Sequence, residues 1–209
     1  MSSTLIYIPS HTIVDYVTKN PVNWIPSHAY LAKRGGLGDQ CGVTPTPAVY
    51  EFLQLLQKEK RLFTQKEYRD YCFNSWVNDG WIDGLGSKKR GALGVRLYRN
   101  FYPSMIDSLH VWAMLAETKF FDACIIDSTM DAVAKTDLLL KRGDTEYHVA
   151  LLAGSKQSVD DRHYKLTYRN DGENVVCYDV KLPMKRERNP GNKRWYEIAD
   201  FDSLVQVTS

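Results

Sequence analysis

A chain of 209 residues suits one medium domain, or a core with a helical extension, and can bury a sizeable interior. Hydrophobic residues at 44%, charged residues at 25% and a net charge of +2 are ordinary for a globular protein, so an acidic partner would have to meet a local basic cluster. No apolar run approaches the ~20 residues that span a bilayer, and Met1-Ser2-Ser3-Thr4-Leu5-Ile6-Tyr7 lacks the charged and apolar regions of a signal peptide. Cys41, Cys72, Cys124 and Cys177 are scattered without a Cys-x-x-Cys pair, which reads as reduced cysteines of a cytoplasmic protein.

Residues 1–44 carry little periodic signal beyond a short strand or helix near Thr12–Thr18. Pro9, Pro21, Pro26, Gly35, Gly36, Gly38 and Gly42 punctuate them. Arg34-Gly35-Gly36-Leu37-Gly38 has no Gly-Lys-Ser/Thr ending and reads as a plain loop. Thr46-Pro47 then opens a helix, hydroxyl as N-cap and Pro at the first position, whose apolar stripe of Val49, Phe52, Leu53, Leu55 and Leu56 runs to about Lys60. Thr64-Gln65-Lys66-Glu67 is a capping box that starts a second helix, to about Asn78. Two helices joined by a short turn are either the front of a helix-turn-helix reader or a pair that packs on a domain.

Composition shifts after Gly80. The run Ser87–Arg99 holds Lys88, Lys89, Arg90, Arg96 and Arg99, no acid, and two glycines that let the backbone approach a partner, with Tyr98, Phe101 and Tyr102 beside them. Basic residues interleaved with glycine and aromatics suit a phosphate backbone; the plainer reading is a solvated loop. Ser104 caps a third helix with Asp107 at N3, running from Met105 to about Thr118. His110, Met114 and Glu117 share one flank, and the helix dipole disfavours a carboxylate at the position of Glu117.

Strands are expected at Phe120–Asp127, Ala134–Lys141 and Tyr147–Ala153, the last two joined by the turn Arg142-Gly143-Asp144-Thr145. Asp137 interrupts an apolar run, which is costly without compensation. It is either paired with Lys135 or Arg142, or it binds a metal. Val159–Tyr168 is a basic, amphipathic helix with Arg162, His163 and Lys165, preceded by Lys156. Asn174–Leu182 is a fourth strand in which Val176, Tyr178 and Val180 alternate. The loop 183–194 follows with Lys185, Arg186, Arg188, Lys193 and Arg194, and then a last short strand at Trp195–Ile198 and a tail.

Helix, three strands, helix, strand: in this order, residues 104–182 resemble the core of the PD-(D/E)XK, or restriction-endonuclease-like, nuclease superfamily. The resemblance rests on Glu117 at a helix end, on Asp131 and Asp137 around the second strand, and on the basic helix after the third. It implies an α/β fold with a central mixed sheet flanked by helices, as a core at 104–209 preceded by a mainly helical, nucleic-acid-contacting region at 1–103. It also implies a divalent cation, Mg²⁺ or Mn²⁺, on Asp137 and Glu117, with Asp131 in support. The third strand should supply an acid or Gln and, two residues on, a lysine, but Ala150 and Leu152 occupy those places, leaving Lys156 or Lys165 as the basic group.

Two functions are therefore expected. One is metal-dependent hydrolysis of DNA phosphodiesters, with Lys88, Lys89, Arg90, Arg96, Arg99, Arg162, Lys185, Arg186, Arg188, Lys193 and Arg194 contacting the nucleic acid. The other is an inactive nuclease fold that binds nucleic acid or serves an assembly, a role with which an oligomer is compatible. No Gly-x-Ser-x-Gly elbow, His-Glu-x-x-His helix, Walker loop or Rossmann fingerprint is present, and a membrane partner has no support.

Overall fold

Helix ends in this chain are set largely by where stranded backbone groups find partners. A computed structural model describes residues 6–20, 45–126, 136–152, 175–181, 197–202 and 204. Its helices are α1 (Ser10–Lys19), α2 (Pro45–Glu59), α3 (Gln65–Asn78), α4 (Ser87–Arg96) and α5 (Tyr102–Thr118), with a π-helical turn at Leu97–Phe101. Its strands are β1 (Ala123–Ile125), β2 (Leu138–Arg142), β3 (Thr145–Leu152) and β4 (Val175–Lys181), followed by a 3₁₀ turn at Ile198–Phe201. The described residues form two compact units, one within Asp15–Ile106 and the other comprising Tyr7–Val14 and the residues from Asp107 onward.

Four rings make the centre of the first unit. Phe52 of α2, Phe63, Tyr68 of α3 and Tyr102 at the start of α5 are at most 1% exposed. All six centroid separations among them lie between 4.9 and 6.2 Å. Ring pairs in such arrangements add about 0.5–1.5 kcal/mol each beyond the area they bury. Their hydroxyls are satisfied on the main chain: Tyr68 donates to the Ala48 carbonyl (2.7 Å) and Tyr102 to that of Phe63 (2.5 Å). Burial pushes both phenols well above their ordinary range.

The capping box forms as its residues predict. Thr64 Oγ1 accepts from the Glu67 N–H (3.2 Å), and Glu67 Oε2 accepts from the Thr64 N–H (2.6 Å). Arg61 donates to the other oxygen of Glu67 at 2.8 Å, and this bond first, then that from Thr64, draws the carboxyl down to about 2. The preceding helix begins at Pro45 rather than after a Thr46 cap.

Between Ser87 and Thr118 the structure departs from expectation. Neither a basic loop nor a fresh helix at Ser104 is found; α4, the π turn and α5 run on without a break, and Ser104 lies inside the helix. Pro103 explains the irregular turn, because in a regular helix its ring would collide with the Arg99 carbonyl and its missing N–H would break the ladder. The backbone widens instead, and the Tyr102 N–H bonds back five residues to the Leu97 carbonyl. That leaves the Tyr98 carbonyl without its usual partner at Tyr102, and Gln65, buried at the start of α3, donates to it at 2.6 Å. Ala92, Leu93 and Leu97 are buried on the same helical face, which is why this glycine-containing run is helical at all.

The second unit carries a mixed sheet in the order β1-β2-β3-β4. Its first three strands are antiparallel, and β4 runs parallel to β3. Parallel neighbours need a crossover of a dozen or more residues, which the segment 153–174 is long enough to make. The β2–β3 hairpin closes through Gly143-Asp144, with Gly143 at φ +55°, where a side chain would be strained. Leu138, Leu140, Tyr147, Val149 and Val180 are buried on one sheet face. In β4 the expected alternation holds for Val180 (3% exposed) but not Val176 (39%). From α5, Trp112 Nε1 donates to the Cys124 carbonyl of β1 at 2.7 Å. The last strand expected at Trp195–Ile198 is corrected at Ile198, which opens the 3₁₀ turn, and among the described residues of the tail Phe201 and Leu204 are buried. The chain is thus an α/β protein with a four-stranded mixed sheet.

The Gln65 bond makes the π turn testable. Gln65→Met keeps the side-chain length but orphans a part-buried carbonyl, at a cost of about 1 kcal/mol. A urea unfolding midpoint equal to that of the parent would show that the Tyr98 carbonyl does not depend on this donor.

Candidate functional site

Asp137 lies just before β2 and is tied to β3 twice. Its N–H donates to the Val149 carbonyl at 2.9 Å, and its Oδ2 accepts the Leu151 N–H at 2.7 Å. The register pairs Leu138 with Val149, so Asp137 and Leu138 both oppose one residue of β3, as at a bulge. The bulge seats the carboxylate against the main chain between Ala150 and Leu151. Of the two basic partners considered for Asp137, Lys135 lies outside the described residues. Arg142 is at the far end of β2, its guanidinium 4.6 Å from the centre of the Phe120 ring.

Beside Asp137, the two positions from which an acid and a lysine are missing gain neighbours from β4. Ala150 is in register with Asp179, and Leu152 with Lys181. Asp179-Val180-Lys181 is itself an acid-x-lysine sequence, one strand spacing of about 4.8 Å from β3 and two from β2, which Asp137 precedes. Sequence reasoning passed over it because it sought the pair on β3, although the residues stood in plain view within the fourth predicted strand. Further along β3, Glu146 is paired with Lys141 at 2.5 Å, and its other oxygen is 3.6 Å from Nε2 of buried His148. The lysine first, with help from the histidine and against a smaller effect of burial, holds the Glu146 carboxyl below its ordinary range.

Glu117, the other expected metal ligand, is engaged differently. Its Oε1 accepts from the Ser10 N–H (2.7 Å) and the Tyr7 hydroxyl (2.9 Å), and its Oε2 from the Ser10 hydroxyl (2.6 Å). It therefore caps α1, whose first N–H groups have no partner within their own helix. A carboxylate that the dipole of α5 disfavours is favoured by that of α1. Burial pushes the carboxyl up, but the three hydrogen bonds outweigh it and leave the group below its ordinary range.

The first unit holds the N-terminal basic cluster. Lys88, Lys89 and Arg90 fall in the first turn of α4, which has no acid and no side-chain cap on Gly86. Arg96 stacks on the Phe101 ring at 5.0 Å, and Arg99 projects from the π turn, exposed. Asp131, Lys156, Arg162, Lys165, Lys185, Arg186, Arg188, Lys193 and Arg194 lie outside the described residues. Among the described residues, no three His, Cys, Asp or Glu side chains gather to hold a metal, and no helix is long and apolar enough to cross a membrane.

The cap that Glu117 places on α1 has a pH signature. A carboxyl held below its ordinary range adds stability above about pH 4.3, and that stability is lost as pH falls through the folded-state value. Glu117→Gln should cost about 1 kcal/mol or less at neutral pH, since the group is exposed and screened, and should flatten the acid limb of the stability curve. Parallel acid limbs for parent and variant would show that the cap carries no such dependence.

No family model, curated protein or solved structure matches this chain.

Proposed function

We propose that this chain is a metal-dependent nuclease acting on DNA, built on a sheet of the restriction-endonuclease-like type. The observation that carries the reading is the alignment of Asp179-Val180-Lys181 with Ala150-Leu151-Leu152, on the strand to which Asp137 is tied. An acid-x-lysine pair displaced by one strand stands in for the pair that β3 lacks. The order of α5, β1, β2, β3 and β4, with β4 parallel to β3, is consistent with it.

The donor set fits a small hard cation. Mg²⁺ is commonly held by one or two carboxylates and completes its shell with water and substrate phosphate, so the reading assigns it to Asp137 and Asp179, on the strands either side of β3, without a third acid. A bound Mg²⁺ or Mn²⁺ supplies charge neutralisation on the phosphate and a more acidic water. The chain's own part is to fix the Asp137 carboxylate on the Leu151 N–H and to add the positive charge of Lys181. The basic residues of α4 and the π turn supply phosphate contacts. Glu117 is not needed as a ligand, because its cap on α1 gives it another role.

A second reading, nucleic-acid binding without cleavage, is favoured by one observation: the register partner of Asp179 is an alanine, 2% exposed, rather than an acid. Asn substitutions decide between them. Asp137→Asn preserves an oxygen for the Leu151 N–H while removing the charge, and Asp179→Asn removes the charge from β4. With plasmid DNA and Mn²⁺, the parent should cleave and both variants should not, at unchanged melting temperature. Undiminished cleavage by either variant removes that residue from the site. A parent that binds DNA but leaves it intact, with no heat of Mn²⁺ binding, establishes the second reading.

A further inference from the structure

We infer that the first unit binds single-stranded nucleic acid in a groove between α3 and the continuous α4–π segment. This inference rests on the nucleic-acid reading above and names a substrate form and a surface that it does not. The groove encloses about 570 Å³, and its lining includes Arg69, Phe73, Arg90, Gly91, Tyr98 and Arg99. Three arginines and one acid, Asp70, line it.

The charges are held in place by groups that leave the surface positive. Arg90 donates to the carbonyls of Leu85 (2.9 Å) and Asp83 (3.3 Å), which orient the guanidinium without neutralising it. Arg69 grips Asp70 Oδ1 through Nε (3.0 Å) and Nη2 (2.7 Å), and Lys66 lies 3.7 Å from the other oxygen, so two cations share that acid. Arg99 and Tyr98 are presented by the π turn, a rare element that often marks functional positions. Phe73 and Tyr98 are half-buried, with ring surface remaining in the groove.

Guanidinium groups beside aromatic rings match a strand whose phosphates are separated by unstacked bases. In a duplex the bases are stacked on one another, and rings recessed in a groove cannot reach their faces. The floor is kept open by glycine: a Cβ on Gly91 would meet nothing within 4 Å, whereas one on Gly94 would come within 3.2 Å of the Phe73 ring. A side chain at 91, a position that lines the groove, would therefore meet open space and leave the packing of α4 undisturbed.

Fluorescence anisotropy of a labelled oligo-dT strand with the full chain, in EDTA so that hydrolysis does not enter, tests the inference. The parent should bind with log K falling by about 0.7 per neutralised phosphate per decade of salt. Arg99→Glu should weaken binding by about ten-fold or more and lower that slope. Gly91→Leu, which leaves every charge in place, should weaken binding at an unchanged melting temperature. Parent-like affinity in both variants, or tighter binding of the matching duplex than of the strand, overturns the groove. If the parent still cleaves plasmid with Mn²⁺ in that case, the nuclease reading stands and only the groove falls. A parent that neither binds DNA nor cleaves it removes both.

Discussion

Backbone groups left over where helices and strands end or change pitch need partners, and in this protein side chains supply them. Glu117 takes the first N–H of α1, Thr64 and Glu67 close the start of α3, and Gln65 takes the carbonyl that the π turn strands. Asp137 extends the β2–β3 ladder by one rung with its carboxylate. The ring cluster obeys the same constraint, since both its hydroxyls rest on carbonyls, of Ala48 and Phe63. Where such a group is buried, as at the Ala48 and Phe63 carbonyls, orphaning it costs about 1–3 kcal/mol, a large share of the 5–15 kcal/mol that separates folded from unfolded chains; at the exposed helix ends the cost is smaller. These few contacts therefore set where the elements stop, and through them where Asp137 and Arg99 are held.

How legible each element was follows from how local its causes are. The capping box lies within four consecutive residues, and α3 spans the range those residues predict. The β2–β3 turn was legible for the same reason, because Gly143 alone supplies the positive φ. Continuity from α4 to α5 was not, because it depends on Gln65, more than thirty residues away, and on burial of Leu93 and Leu97. Ser104 has the chemistry of an N-cap, yet the helix passes through it. The informative residue was Pro103, which signals a distorted turn as readily as a helix start. At the C-terminus the apolar Phe201 was the neglected sign of packing.

The site divides along the same line. Asp137 stood out because a carboxylate in an apolar run needs a reason, and its bond to Leu151 is part of that reason. Glu117 stood out for its position at a helix end, but its partners come from the other end of the chain, and no spacing rule reaches from 117 to 10. Asp179 and Lys181 were visible as residues and invisible as a pair in the right place. Only the parallel register of β4 on β3 sets them against Ala150 and Leu152, and register across a crossover is the part of a sheet that periodicity does not encode.

Helix α4 is poorly made as a helix, and the manner of its defects is informative. Gly91 and Gly94 each cost about 1 kcal/mol against alanine in a helix interior. Lys88, Lys89 and Arg90 crowd the end where the dipole repels cations, with no acid in the turn and no side chain capping Gly86. Burial of Ala92, Leu93 and Leu97 offsets these costs, at about 1.5–3 kcal/mol for a fully buried leucine. Gly94 has a packing reason, since a Cβ there would press on the Phe73 ring at 3.2 Å, but Gly91 has none, because nothing lies within 4 Å of the place its side chain would fill. Arg90 and Gly91 line one groove with Arg99, while Lys88 and Lys89 precede them in the exposed first turn of the same helix. Open space beside glycine, together with cations where a helix resists them, is unfavourable for folding and favourable for a negatively charged strand. Arg90 and Gly91, two residues of α4 that stability does not explain, both line the groove.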